Sequence, residues 1–322
     1  NFGNNRNEIL ELDETVLMNM NSTFTNDNRQ VLTRVQLHNP FGAIYGFRSL
    51  GVYQYEYDYL RTAYTNTLPE GETFNIPGFK NWINNEFLAS GKTAPIATNP
   101  DGTAIFDDQG MPIQMMFAYS NDNSGRNYVF KGGDAMYEDI NHDGQINALD
   151  IVYIGSSLPK LTGGFGFSFS YGNWRLNTQF TYRVGNKILN MARLDAEAMI
   201  NNDNQSQAVN YRWRKNGDVT TIPRAMYGAT SNYNTLISDR FVEDGSYLRM
   251  GYAQLSYSLD KKWLKAIGFQ NIRLYVSANN PFIITKYTGV DPDISCDGYG
   301  AATDWGQTPR ARSYTFGMTV DF

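Results

Sequence analysis

The sequence predicts an all-β chain: the C-terminal strands of a large transmembrane antiparallel β-barrel with long extracellular loops. Three observations carry this expectation. The second half alternates apolar and polar residues with a period of two, its connections are short and long by turns, and its composition is rich in aromatics and glycine but poor in charge. Of 322 residues, 22 are Tyr, 19 Phe and 29 Gly, while charged residues are 18%. Such a mixture suits strands whose outer face carries aromatic belts. Mean hydropathy is −0.46, and no run approaches the roughly 18 apolar residues of a spanning helix.

The period is clearest in the last strand, RARSYTFGMTVDF, where Tyr314, Phe316, Met318, Val320 and Phe322 fall on one face. Ser313, Thr315, Gly317, Thr319 and Asp321 fall on the other, as a half-buried strand requires. From Gly163 to Gly172, Phe165, Phe167, Phe169 and Tyr171 alternate with small residues. Gly172-Asn173 signals a two-residue turn. After it, Trp174, Leu176, Thr178, Phe180, Tyr182 and Val184 alternate with Arg175, Asn177, Gln179, Thr181 and Arg183. Ile272, Leu274, Val276 and Ala278 repeat the pattern. Tyr247 to Leu259 breaks phase: Ala253, Leu255, Tyr257 and Leu259 keep one parity, but Leu248, Met250 and Tyr252 keep the other. A bulge or a protrusion beyond the membrane would account for the shift.

Backward from Phe322, the connection Tyr287 to Pro309 is long, DKKWLKAIGFQN is fairly short, Leu189 to Ser246 is very long and GN is minimal. Outer-membrane barrels have short periplasmic turns and long outer loops, whereas a soluble sandwich has no reason to keep that rhythm. Residues 163–322 are therefore read as the last barrel strands with their loops, and 15–162 as a mainly extracellular loop region. The latter holds a helix around KNWINNEFLASG and a Pro/Asn/Asp/Gly-rich stretch from Thr93 to Gly125. The chain opens NFGNNRN, with neither Met nor signal peptide and already inside an alternating segment, and residues 1–322 are expected to be the C-terminal part of one longer barrel chain.

Within the irregular half, EDINHDGQINALD has the spacing of an oxygen-ligand cation loop. Asp139, Asn141 and Asp143 supply side-chain oxygens at positions 1, 3 and 5, Gly144 permits the turn, Gln145 offers its backbone carbonyl, and Asp150 closes the loop at position 12. Asn147 stands at position 9, directly or through water. The expected ion is a structural Ca2+, bound more weakly than in loops closed by Glu. Asp, Asn and Gly also crowd ordinary turns. A sensor would need a moving helix pair, and IVYIG after Asp150 reads as strand, so the loop is a clip rather than a switch.

A net charge of −5 argues against nucleic acid, whose phosphates demand a basic face. Cys296 cannot form an internal disulfide. His38 and His142, the two histidines, lie in no hydrolase or zinc motif, so no enzyme is predicted.

Several runs carry a family resemblance. GGDAMYEDINHDGQINALDIVYIGSSLPKLTGGFGFSFSYGNWRLNTQFTYRVGNKI, FGAIYGFRSLGVYQ, IPRAMYG with SDRFVEDGSYLRMGYAQLSYSL, NIRLYVSANNPFIITKYTGVDPD and PRARSYTFGMTVDF resemble, in order, segments of SusC/RagA-type TonB-dependent outer-membrane transporters. Between Tyr53 and Phe130 the match lapses, which reads as an insertion in an outer loop, and Leu50 stands where an Asp is common. The resemblance implies a barrel of about 22 strands with a plugged lumen, in the outer membrane of a Gram-negative, Bacteroidetes-like cell. It also implies a SusD-like surface lipoprotein as lid, energy from the TonB complex through the missing N-terminal part, and a glycan or peptide as substrate. Arg175, Asn177, Gln179 and Arg183 become candidate lumen residues, the outer apolar face meets lipid, and Phe322 joins the signal read during assembly. The alternatives are a porin or adhesin-like barrel without energised transport, or a soluble calcium-stabilised binding module.

Overall fold

The protein is described from a computed structural model that covers residues 40, 42–118, 127–228, 233–296 and 300–322. The alternating segment expected near the N-terminus, and His38, lie outside the described residues. The described residues divide into two compact units: Tyr45–Ile154 with Arg193–Phe241, and Gly155–Ala192 with Val242–Phe322 and residues 40 and 42–44.

The second unit is dominated by one antiparallel sheet. Its strands are β1 (Leu161–Tyr171), β2 (Trp174–Val184), β3 (Tyr247–Ser258), β4 (Asn271–Thr285) and β5 (Ser313–Asp321). Each pairs with its neighbour in sequence, giving the order β1-β2-β3-β4-β5. Strands of 9–11 residues tilted by about 45° are long enough to cross a bilayer core, and all five reach that length.

Register turns the period of two into continuous cross-strand rows. Phe169, Leu176, Leu255, Val276 and Phe316 stand side by side across the sheet, as do Tyr171, Trp174, Tyr257, Leu274 and Met318. One pleat away run Ser168, Asn177, Gln254, Ser277 and Thr315. One face is thus apolar and the other hydrophilic, and the apolar one is uncovered: Phe167 is 63% exposed, Phe169 64% and Phe316 79%.

The phase break in β3 is a bulge. Register shifts between Met250 and Tyr252, where Gly251 is extra relative to β2 and faces Asn280 and Pro281 of β4. One extra residue reverses the parity, so Leu248 and Met250 rejoin the apolar face opposite Tyr182 and Phe180. Tyr252, which the sequence grouped with them, pairs with Gln179 and Asn279 on the hydrophilic face instead. Asn280 has φ 49°, and Pro281, without an N–H to donate, lies past the end of the β5 pairing, where a ladder can accept it.

The predicted Gly172-Asn173 turn joins β1 to β2, with Gly172 at φ 56°, and the helix Lys261–Ile267 lies within the other short connection. By the register, both leave one end of the sheet, while the stretch before Leu161 and connections 185–246 and 286–312 leave the other. That is the asymmetry read from sequence. At the long-connection end Lys187–Asn190 pairs with Val242–Asp244 and Thr303–Asp304, around a small core of Ile188, Tyr287, Ile294 and Ala302. At the other end Trp174 packs on Tyr257 with centroids 4.8 Å apart, an aromatic row at the rim.

The first unit is irregular but has its own interior. Helix α1 (Tyr57–Thr65) buries Leu60 and Tyr64, one turn apart, the spacing of an amphipathic face. Helix α2 (Ile76–Trp82) starts where the Asn75 side chain accepts the Gly78 N–H at 2.7 Å and Pro77 sits in the first turn, a favourable entry. The helical path continues as a π-turn, Ile83–Phe87, and a 3-10 turn, Leu88–Ser90, and stops at Gly91 with φ 74°. It therefore begins four residues before the predicted Lys80, because cap and proline act upstream of the apolar periodicity. Phe79, Trp82, Ile83 and Phe87 join Leu60 and Tyr64 in a closed cluster. Elsewhere a buried ion pair replaces ladders: the wholly buried Asp134 accepts from Arg224 Nε at 2.7 Å and Tyr128 Oη at 2.6 Å.

Candidate functional site

The cation-type loop closes on itself as its spacing requires. Gly144, at φ 80°, turns its N–H onto Asp139 Oδ2 at 2.8 Å, and Asp143 N–H reaches Asp139 Oδ1 at 3.3 Å. Asp143 accepts from Gln145 N–H at 2.8 Å and from Asn141 Nδ2 at 3.0 Å. Asp150, expected at the closing position, is fully buried and receives Ile140 N–H at 2.9 Å and Asn147 N–H at 2.8 Å, one per oxygen. It thereby ties the end of the loop to its start. Gln145 and Ile146 leave as a short strand parallel to Met116–Phe117, and His142, at φ 57°, holds Thr98 O through Nδ1 at 2.7 Å. Val152–Ser156 follows as strand, so no helix pair flanks the loop.

The loop is electrostatically crowded. Burial pushes the Asp150 carboxyl up to about 6, helped by the negative charges of Asp139 and Asp143 and opposed by its two backbone N–H donors. Asp139 is also raised, by burial first and by Asp143 beside it. Carboxylates gathered this closely, two of them raised, suit a cation. Among the described residues no three acidic, His or Cys side chains form a metal cage alone. A hard ion would therefore draw on Asn141, the Gln145 carbonyl and water as well as the carboxylates, and that oxygen-only set fits Ca2+.

The predicted lumen residues share the hydrophilic face. Asn177 Oδ1 accepts from Ser168 Oγ at 2.8 Å, and Arg175 Nε donates to Ser170 Oγ at 3.3 Å. Arg183 pairs with Asp293 at 3.3 Å and donates to Ile294 O at 3.0 Å, while Gln179 is exposed. Phe322 stands just past the end of β5 and packs on Phe269, centroids 5.3 Å apart. Sequence reasoning passed over Arg249. Only the bulge shows that it lies on the hydrophilic face, 5% exposed and paired with Asp291. Its one signal was its position inside the out-of-phase stretch.

No family model matches the chain. A TonB-dependent receptor of Formosa agariphila is 27% identical over 336 aligned positions that take in 100% of this chain and 28% of the relative. The TonB-dependent receptor SusC of Bacteroides thetaiotaomicron is 26% identical over 226 positions, 68% of this chain and 18% of that protein. Among solved structures, the RagAB peptide transporter matches with a TM-score of 0.50 and 24% identity, over 59% of this chain and 21% of its own, a likeness of fold. The chain thus spans less than a third of the length of these curated relatives.

Proposed function

We propose that the chain is part of a SusC/RagA-type TonB-dependent transporter, a reading its likeness to these receptors supports, and that it supplies barrel wall and loops for TonB-dependent uptake of a large nutrient across the outer membrane. One observation carries the reading furthest: a meander of five long strands with one apolar face, unpaired at both edges among the described residues, sending its long connections from one end only. In hydrocarbon an open sheet edge leaves backbone groups unsatisfied, so β1 and β5 need further strands beside them. An uncovered apolar face of this extent needs lipid or another protein. The hydrophilic face then lines the lumen, and Phe322 lies at the turn end, where it would contribute to an assembly signal.

The nutrient is an oligosaccharide or a peptide, and a SusD-like surface lipoprotein covers the mouth by contacting the long connections. The protein called SusC and the peptide transporter RagAB support this division of labour. The cation-type loop holds Ca2+ through Asp139, Asn141, Asp143, the Gln145 carbonyl and Asp150, fixing the first unit's backbone and performing no chemistry.

Deleting the gene should abolish growth on one class of glycan or peptide as sole source, and loss of TonB should reproduce the defect. A growth defect indifferent to TonB would favour a passive porin.

A further inference from the structure

The second unit contains a cavity of about 440 Å3 whose lining includes Arg249, Asn280, Phe282, Asp291, Arg310 and Arg312. Its size lies within the range of small-ligand sites. Arg249 is held against Asp291, yet its Nε is buried with no hydrogen-bond partner, an arrangement that costs stability unless something offsets it. Arg310 pairs with Asp293, which also carries Arg183. Arg312 is exposed at the mouth, outside this network. Three arginines thus face two aspartates, and with Arg312 beside them positive charge is in excess. The floor is the bulge itself, where Asn280 takes a positive φ and ties its Nδ2 to Ala311 O at 3.2 Å. Bulges and left-handed non-glycine residues gather where a structure re-aims side chains towards a site.

We infer that this cavity is a carboxylate-binding subsite on the transport path, with Arg312 and Arg310 as the arms that meet the anion and the Arg249–Asp291 pair as its fixed base. The guanidinium fork matches a carboxylate in two parallel hydrogen bonds. Two nutrient chemistries present that group, the C-terminus or acidic side chain of a peptide and the uronic acid of a glycan. The inference rests on the transport reading above and narrows its substrate.

The test uses the full-length receptor in detergent. Binding is measured by calorimetry for a tetrapeptide with a free C-terminal carboxylate against its amide, and for a tetragalacturonide against its methyl ester. At least one acid should bind more tightly than its neutral partner by roughly tenfold, the worth of a charge-assisted hydrogen bond, and Arg312→Gln should remove most of that difference. Which pair shows the preference identifies the source. No acid preference in either pair, or a preference untouched by Arg312→Gln, overturns the inference. TonB-dependent accumulation of the neutral compounds, followed in the same strains, reports separately on the transport reading: it can survive while the carboxylate subsite fails.

Discussion

The two units use the same aromatic vocabulary for opposite purposes. In the first, Tyr45, Phe47, Phe79, Phe117, Phe130 and Phe241 are all under 3% exposed, each enclosed as in a water-soluble core. In the sheet of the second, Phe167, Phe169, Tyr171 and Phe316 stand 63–79% exposed in ordered rows. Apolar side chains leave water wherever they can, so the difference lies in the solvent for which each region is built. A closed cluster needs only itself, whereas a flat apolar wall needs lipid. Polar groups follow the same division. The first unit buries Asp134 with Arg224 and Tyr128, while the sheet keeps its hydrophilic residues in rows on one face.

Substitutions that exchange the two environments sharpen the contrast. The largest effect is expected from Phe79→Ala, which empties the centre of the helical cluster at a cost of about 3–5 kcal/mol. Limited proteolysis should cut 57–106 quickly, while the barrel remains resistant to SDS without heating. Next comes Leu255→Arg, in the middle of an apolar row, costing about 2–4 kcal/mol if that row lies at the bilayer midplane. The neighbouring Gln254→Arg, on the hydrophilic face, should cost little. Heat-modifiable electrophoresis of outer membranes would compare the two, and equal losses would contradict the assignment of faces.

A smaller effect belongs to the cation loop. Asp150 has a folded pKa raised to about 6 from an ordinary 3.8, so without a cation its stability contribution is most favourable below pH 4 and is lost as pH rises through 6. A bound cation reverses this by taking the ionised form, so Ca2+ affinity should rise between pH 5 and 7. Calorimetry at the two pH values would show this, with no pH dependence as the contrary result. The smallest change is Asp143→Ala, which removes the oxygen that caps Gln145. It should loosen the loop by roughly 1 kcal/mol, seen as faster amide exchange over 139–150, and leave the sheet intact.

Much of the sheet was legible because a strand's period is two and its register propagates. Phe165, Phe167 and Phe169 announce β1 without knowledge of any partner, and Gly172-Asn173 announces its turn. The bulge at Gly251 was not legible as a position, since parity alone shows that a shift occurs somewhere between Tyr247 and Leu259. Tyr252 accordingly shares the parity of Leu248 and Met250 in sequence while lying on the opposite face of the sheet. The start of α2 was missed because Asn75 and Pro77 act through capping rather than periodicity. Asp139 to Asp150 could be read from spacing because the whole loop is local in sequence. The arginine cavity joins residues 249, 280, 291 and 310–312 from separate strands and loops, so no stretch of sequence carries its signature. Resemblance to relatives outlined the barrel, but it lapses over Tyr53–Phe130, where the local core of 57–106 had to be seen in the fold.

The central claim is that the apolar face of the sheet meets lipid and the opposite face meets water. With Cys296 replaced by Ser, single cysteines at 253, 254, 255, 256 and 257 of the full-length receptor can carry nitroxide labels in a bilayer. Collision with dissolved oxygen, which concentrates in hydrocarbon, is then compared with collision with a water-soluble nickel chelate. Positions 253, 255 and 257 should favour oxygen, and 254 and 256 the chelate, alternating residue by residue. A uniform response along β3, or the opposite phase, would contradict the account.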